Sequence, residues 1–167
     1  MTIVLGIDPG SRMTGFGVVE LRNKELHHIT HGVLRLGNRP MPVRLRDIFT
    51  GVRELIDEHD VDRFAIETSY VGNNPQTAIK LGQARGVAIA AAAMCDLPVA
   101  EYSPREIKKT TVGTGNAAKD QVQFMVKTLL GLANEPAHDS ADALAVAICD
   151  LNASRFSYAA DQTIHTP

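Results

Sequence analysis

Three extended segments precede the first helical one, and that order constrains the fold more than any other feature of the chain. Residues 2–8 form a nearly unbroken apolar run closed by the turn-forming Asp8-Pro9-Gly10-Ser11, which predicts a buried central strand. Residues 15–21 and 26–36 read as two further strands joined by a short polar turn around Asn23-Lys24. Strands that follow one another this closely pair antiparallel, as a meander. A helix is then predicted over 42–58, where Leu45, Ile48, Phe49, Val52, Leu55 and Ile56 recur at helical spacing.

Beyond that point strands and helices alternate. Residues 63–67 read as a short strand, and 75–95 as a long alanine-rich helix that stops before Leu97-Pro98. A strand over 98–102 follows. Ser103-Pro104 then offers an N-cap with proline at the first helical position, opening a helix through Lys109. A glycine-rich loop leads to helices over 118–130 and 140–151. The expectation is an α/β fold with a mixed five-stranded sheet flanked by helices. Residues 1–153 are expected to form one domain, with a frayed polar tail over 154–167.

Composition narrows the function classes. The 167 residues are 44% hydrophobic and 22% charged, values of a folded globular domain rather than of a disordered or fibrous chain. With 17 Lys+Arg against 19 Asp+Glu the formal charge is −2, which argues against binding nucleic acid by bulk charge. The charge is unevenly spread, however: residues 80–127 hold seven basic side chains against four acidic ones. Cys95 and Cys149 lie in apolar runs without CxxC spacing, so they read as buried thiols in a reducing compartment. The first residues lack the pattern of a signal peptide, and the most apolar stretch, 86–95, is shorter than the ~20 residues of a membrane span. A cytoplasmic location without a membrane partner is expected.

Carboxylates carry the chemical signal. Asp8 and Glu67 each end an apolar strand, the position where α/β folds place chemistry. A lone acid there is also an ordinary turn former or cap. Asp139 and Asp142 stand at i and i+3 in His138-Asp139-Ser140-Ala141-Asp142-Ala143-Leu144-Ala145, on one face of a helix start. Asp139 alone fits an N-cap. Asp142, among Ala141, Leu144 and Ala145 on a core-facing helix, needs a partner. Acids converging from separate elements repel one another and raise their own pKa values, and Mg²⁺ or Mn²⁺ resolves that repulsion. A pair of such ions suits in-line hydrolysis of a phosphodiester.

The motifs Leu5-Gly6-Ile7-Asp8-Pro9-Gly10-Ser11-Arg12, Ala65-Ile66-Glu67, Leu81-Gly82-Gln83-Ala84-Arg85-Gly86 and Asp139-Ser140-Ala141-Asp142-Ala143-Leu144-Ala145 occur here in order over residues 2 to about 151. In these the chain resembles the RuvC Holliday-junction resolvases. The resemblance implies a ribonuclease H-like fold, a homodimer, and paired symmetric nicks in four-way DNA junctions that leave 5′-phosphate and 3′-hydroxyl ends. It implies that Asp8, Glu67, Asp139 and Asp142 are the catalytic and metal-binding carboxylates, holding two Mg²⁺ with Mn²⁺ able to substitute. It also implies coupling to the RuvA and RuvB branch-migration proteins.

Lys108 and Lys119 fall in segments resembling the family's phosphate-contacting stretches, and Arg12, Lys80 and Arg85 are further candidate DNA contacts. Tyr70 stands where the family carries a base-stacking phenylalanine, although core packing at a strand exit would also suit it. The 68–75 segment departs from the family pattern. Gly82, Gly86 and Ala90 form a small-residue stripe that fits either a two-fold dimer contact or close packing on the chain's own sheet. Two other readings are a non-catalytic junction-binding module and an actin-like ATPase fragment, the second because Gly6-Ile7-Asp8-Pro9-Gly10-Ser11 also looks like a phosphate loop of that superfamily.

Overall fold

The computed structural model of the protein describes residues 1–68 and 74–163, with side chains described up to residue 154. Its elements are β1 (Thr2–Asp8), β2 (Met13–Arg22), β3 (Glu25–Arg35), α1 (Met41–Glu58), β4 (Arg63–Glu67), α2 (Pro75–Ala93), β5 (Val99–Tyr102), α3 (Pro104–Val112), α4 (Lys119–Leu130) and α5 (His138–Thr163). Among the described residues the strands form one five-stranded sheet in the order β3-β2-β1-β4-β5. The β1–β2 and β2–β3 pairs are antiparallel, and β1–β4 and β4–β5 are parallel. This is the expected mixed sheet: turns join the first three strands, and helices carry the chain across to β4 and β5. Asn23 and Lys24 make the β2–β3 turn with φ of 53° and 69°, the left-handed pair of a type I′ hairpin.

Alternation along β1 divides the core. Ile3, Leu5 and Ile7 join Ile48 and Val52 of α1 and Ala84 and Ala88 of α2 on one face. Val4 and Ala65 join Ile107, Val126 and Leu144 from α3, α4 and α5 on the other. Leu5, Ile7, Phe64 and Leu144 are fully buried, each worth about 1.5–3 kcal/mol relative to exposure.

Helix α5 sits on the sheet through glycine. Gly6 and Gly17 are paired across β1 and β2. A Cβ at Gly6 would stand 2.2 Å from the Ala143 carbonyl oxygen, and one at Gly17 would stand 2.7 Å from the Leu144 side chain. Both are closer than atoms approach, so the helix backbone rests directly on the strands. Helix α5 runs from His138 to Thr163, into the polar segment that begins at residue 154. Residues 152–163 contain neither glycine nor proline, the residues that end helices most strongly.

Helix starts follow their local chemistry. Ser103 accepts from the Glu106 N–H while the Glu106 carboxylate accepts from the Ser103 N–H, a capping box; the Ser103 hydroxyl first, and then that N–H, hold the Glu106 carboxyl below its ordinary range. The Asn74 side chain caps α2 by accepting from Gln76 and Thr77 N–H groups, ahead of Pro75. Helix α2 buries Ala84, Ala88, Ala91 and Ala92, whereas Gly82, Gly86 and Ala90 lie exposed on its opposite face. Packing of that stripe on the chain's own sheet is thereby excluded. Both cysteines are free thiols, Cys149 buried and Cys95 half-buried. Among the described residues no helix is long and apolar enough to cross a membrane.

Candidate active site

The parallel ladder pairs Ile7 with Ile66, so the next residues, Asp8 and Glu67, leave the sheet side by side from strands roughly 4.8 Å apart. On the antiparallel side Asp8 lies opposite Gly15. A Cβ at Gly15 would stand 2.0 Å from the carbonyl oxygen of Asp139. Only the lack of a side chain there lets the first turn of α5 settle beside the end of β1. That contact carries Asp139, and Asp142 one turn later, to Asp8.

The loop after Asp8 is held without Asp8. Thr14 Oγ1 donates to the Gly10 carbonyl at 2.9 Å, Arg44 donates to the Ser11 carbonyl at 2.7 Å, and the Arg12 carbonyl accepts from Leu36 and Gly37 N–H groups at 2.9 and 3.0 Å. Asp139 lies within the first turn of α5, which starts at His138. A cap or turn role therefore accounts for neither acid.

Electrostatics shows the four acids acting as one group. Burial, then the charges of Glu67, Asp142 and Asp139, push the Asp8 carboxyl up to about 8, against a small opposing effect of Lys119. Burial and Asp142 raise Glu67 to about 7, opposed by Lys119 and Lys108. Asp142 is raised by burial and by Asp139, with Lys119, His138 and Lys108 holding it down. The cluster is short of positive charge. Lys119 Nζ supplies some, 3.9 Å from Asp142 Oδ2, but that lysine is 71% exposed, and such a pair stabilises little.

In donor chemistry and charge, this set fits a divalent ion: every donor is a carboxylate oxygen, the type hard cations take. The carboxylates are gathered without being closed on a common centre, since among the described residues no three His, Cys, Asp or Glu groups stand close enough to hold an ion as they are.

The proposed DNA-contacting residues divide. Lys108 and Lys119 stand at the acids, as their electrostatic effects on Glu67 and Asp142 record. Arg12 is exposed on the loop that leaves Asp8, and Lys80 is exposed on α2. Arg85 is engaged by the Glu101 carboxylate of β5. Tyr70 lies outside the described residues.

Two features escaped the sequence reading. His138 faces Asp142 electrostatically; its i, i+4 spacing to that acid was the available signal. Asp150, fully buried on α5, accepts from Arg63 Nε and Nη2 at 2.7 and 2.9 Å and from the Tyr102 hydroxyl at 2.9 Å. An acid inside the apolar run 143–151 was the signal there.

A mixed sheet with acids at the ends of its two central strands and on its last helix defines a ribonuclease H-like scaffold bearing a carboxylate site. The family model described as crossover junction endodeoxyribonuclease RuvC matches residues 4–150. A crossover junction endodeoxyribonuclease RuvC of Pseudoalteromonas translucida is 50% identical over 89% of this chain and 86% of its own length. The one from Yersinia enterocolitica is 49% identical over 98% of this chain and 96% of its own. The solved structure of Thermus thermophilus RuvC in complex with Holliday junction substrate superposes with a TM-score of 0.86 at 32% identity, covering 94% of this chain and 97% of that one. The chain belongs to the RuvC family of crossover junction endodeoxyribonucleases.

Proposed function

We propose that the protein is a cytoplasmic, metal-dependent endonuclease that resolves Holliday junctions by paired symmetric nicks in DNA recombination and repair. The observation that carries this reading is the convergence of Asp8, Glu67, Asp139 and Asp142 into one electrostatically coupled group in a chain of this family. The junction substrate of the Thermus thermophilus relative supports the substrate assignment.

The four acids would hold two Mg²⁺ ions, with Mn²⁺ able to substitute, and such ions supply charge compensation and activation of water for in-line displacement at phosphorus. The remaining work falls to the chain's own groups. Lys108 and Lys119, flanking the acids, offer ammonium groups to backbone phosphates on either side of the scissile bond. Arg12 and Lys80, both exposed, extend that contact along the arms, and Arg85 joins them once released from Glu101; Tyr70 stacks on a base at the crossover. The water oxygen bonds to phosphorus as the bond from phosphorus to the 3′-oxygen breaks. One strand end keeps the 5′-phosphate, and the other takes up a proton as the 3′-hydroxyl.

Symmetric nicking requires two such sites related by a two-fold axis. The outward stripe of Gly82, Gly86 and Ala90 on α2 suits the self-complementary contact of a homodimer. A Cβ at either glycine would meet nothing within 4 Å, and Ile79 and Met94 on the same helix region are 63% and 66% exposed. RuvA and RuvB are the expected partners in delivering junctions to it.

The test is a synthetic four-way junction beside a linear duplex of the same arm sequence, both in Mg²⁺. The reading predicts paired nicks at matching positions of the junction and an intact duplex. Junction binding without cleavage in Mg²⁺ and in Mn²⁺ would instead identify a binding module.

A further inference from the structure

The acidic site is built in two halves that meet only through packing. Asp8 and Glu67 belong to the sheet, and Asp139 and Asp142 belong to α5. The contacts that join the halves are glycine seats: Gly6 lies under Ala143 and Ala147, Gly17 under Leu144, and Gly15 under the Asp139 carbonyl. Ala143 and Ala147, the α5 residues over Gly6, are fully buried and carry only methyl groups. These contacts are apolar or backbone packing, without a directional side-chain bond. Such packing sets how closely the helix approaches, and constrains its axial position by shape alone rather than by directional bonds.

Directional bonds between α5 and the sheet are made at Asp150. Its side chain is 0% exposed. Arg63, the first residue of β4, gives it a two-pronged pair at 2.7 and 2.9 Å, and Tyr102, the last residue of β5, donates its hydroxyl at 2.9 Å. Tyr102 is also the register partner of Glu67. Its carbonyl accepts from both the N–H and the hydroxyl of Thr68, at 2.8 and 3.2 Å, which pins the residue following Glu67. Asp150 lies two turns beyond Asp142 on the same helix, about 12 Å along its axis. One carboxylate thus ties the helix bearing Asp139 and Asp142 to the start of β4, the strand that ends in Glu67, and to the end of β5 beside Glu67.

A buried ion pair is a poor way to gain stability, because desolvation offsets most of its attraction and apolar replacements of like volume serve as well or better. Its particular property is that it is satisfied in one geometry only. We propose that Asp150 is the positioning residue of the site: with Arg63 and Tyr102 it sets the axial register of α5 on the sheet, and so the spacing between the two halves of the carboxylate cluster.

This inference rests on the reading of the cluster as the metal site, and its test separates the two. The protein is compared with Arg63→Leu/Asp150→Leu, which removes the polar pair without stranding a charge, and with Tyr102→Phe, which removes one arm only. Mn²⁺ affinity is measured calorimetrically without DNA, alongside single-turnover junction cleavage and junction affinity. The double variant should keep its thermal midpoint within a few degrees and its junction affinity within about twofold. It should lose roughly tenfold in Mn²⁺ affinity and at least as much in cleavage rate, with Tyr102→Phe falling between. Unchanged Mn²⁺ affinity and cleavage in either folded variant would overturn the positioning role. If the double variant does not fold, Tyr102→Phe decides alone: a drop in both readouts supports the role, and wild-type values overturn it. Failure of the unmodified protein to bind Mn²⁺ or to cleave would instead count against the metal-site reading.

Discussion

Replacing Asp8 with asparagine should stabilise the metal-free protein while abolishing its chemistry. Asp8 has a folded-state pKa of about 8 where its ordinary value is 3.8, from burial first and then from Glu67, Asp142 and Asp139. A carboxyl whose folded pKa lies above its unfolded value favours the fold fully below pH 4, and that advantage is lost as pH rises toward 8. A shift of about 4 units at about 1.36 kcal/mol per unit sets a ceiling of roughly 5–6 kcal/mol. Asp8 is partly solvent-accessible, so screening brings the expected penalty at pH 8 down to about 1–3 kcal/mol. Asparagine keeps the shape and removes the charge. For a chain of this size that gain corresponds to a rise of roughly 3–10 °C in thermal midpoint. The assay is thermal unfolding in EDTA at pH 5 and pH 8, with and without the substitution. The gain should be small at pH 5 and grow toward pH 8, and Mg²⁺ should raise the midpoint of the unmodified protein more than that of the variant. An Asp8→Asn protein no more stable than the original at pH 8, or one whose gain is the same at both pH values, would refute the account of a charge-frustrated cluster.

Three further outcomes follow from packing. Arg63→Ala alone strands the fully buried Asp150 carboxylate and should cost about 3–5 kcal/mol in chemical denaturation, in contrast to the paired apolar replacement. Gly15→Ala would drive a methyl group into the Asp139 carbonyl; overpacking of this kind costs about 1–3 kcal/mol, and cleavage should fall further than stability because the start of α5 is displaced from Asp8. Gly86→Glu points into open space and should leave the fold intact while producing monomers by light scattering; a persistent dimer would place the two-fold contact elsewhere.

Much of the fold was legible because its signals are local. The apolar run of β1, the Asn23-Lys24 turn and the Ser103-Pro104 cap each announce themselves within a few residues, and the strand-first order is enough to require a mixed sheet. The four acids were legible for a related reason: each interrupts an apolar pattern at the end or start of an element. What stayed hidden depends on distance. Nothing near Gly15 shows that Asp139, 124 positions later, will rest on it, and nothing near Arg63 names Asp150 as its partner 87 residues away. The stripe on α2 was visible as a pattern, but which way it faces follows from the buried Ala84, Ala88 and Ala91.

The net charge of −2 also takes on a different meaning. Four of the acids behind it are the clustered carboxylates, so the charge that argued against DNA is in part that of the proposed metal site before any ion binds. Lys108 and Lys119 lie at its margin. Junction affinity should accordingly rise with divalent ions and fall with added salt.

The most direct test of the central claim is cleavage of a synthetic four-way junction in Mg²⁺ by the unmodified protein and by Asp8→Asn, Glu67→Gln, Asp139→Asn and Asp142→Asn, with junction binding measured in parallel. The account predicts symmetric nicks from the first and none above background from the other four, all five binding the junction. Cleavage at the unmodified rate by any of the four variants would contradict it.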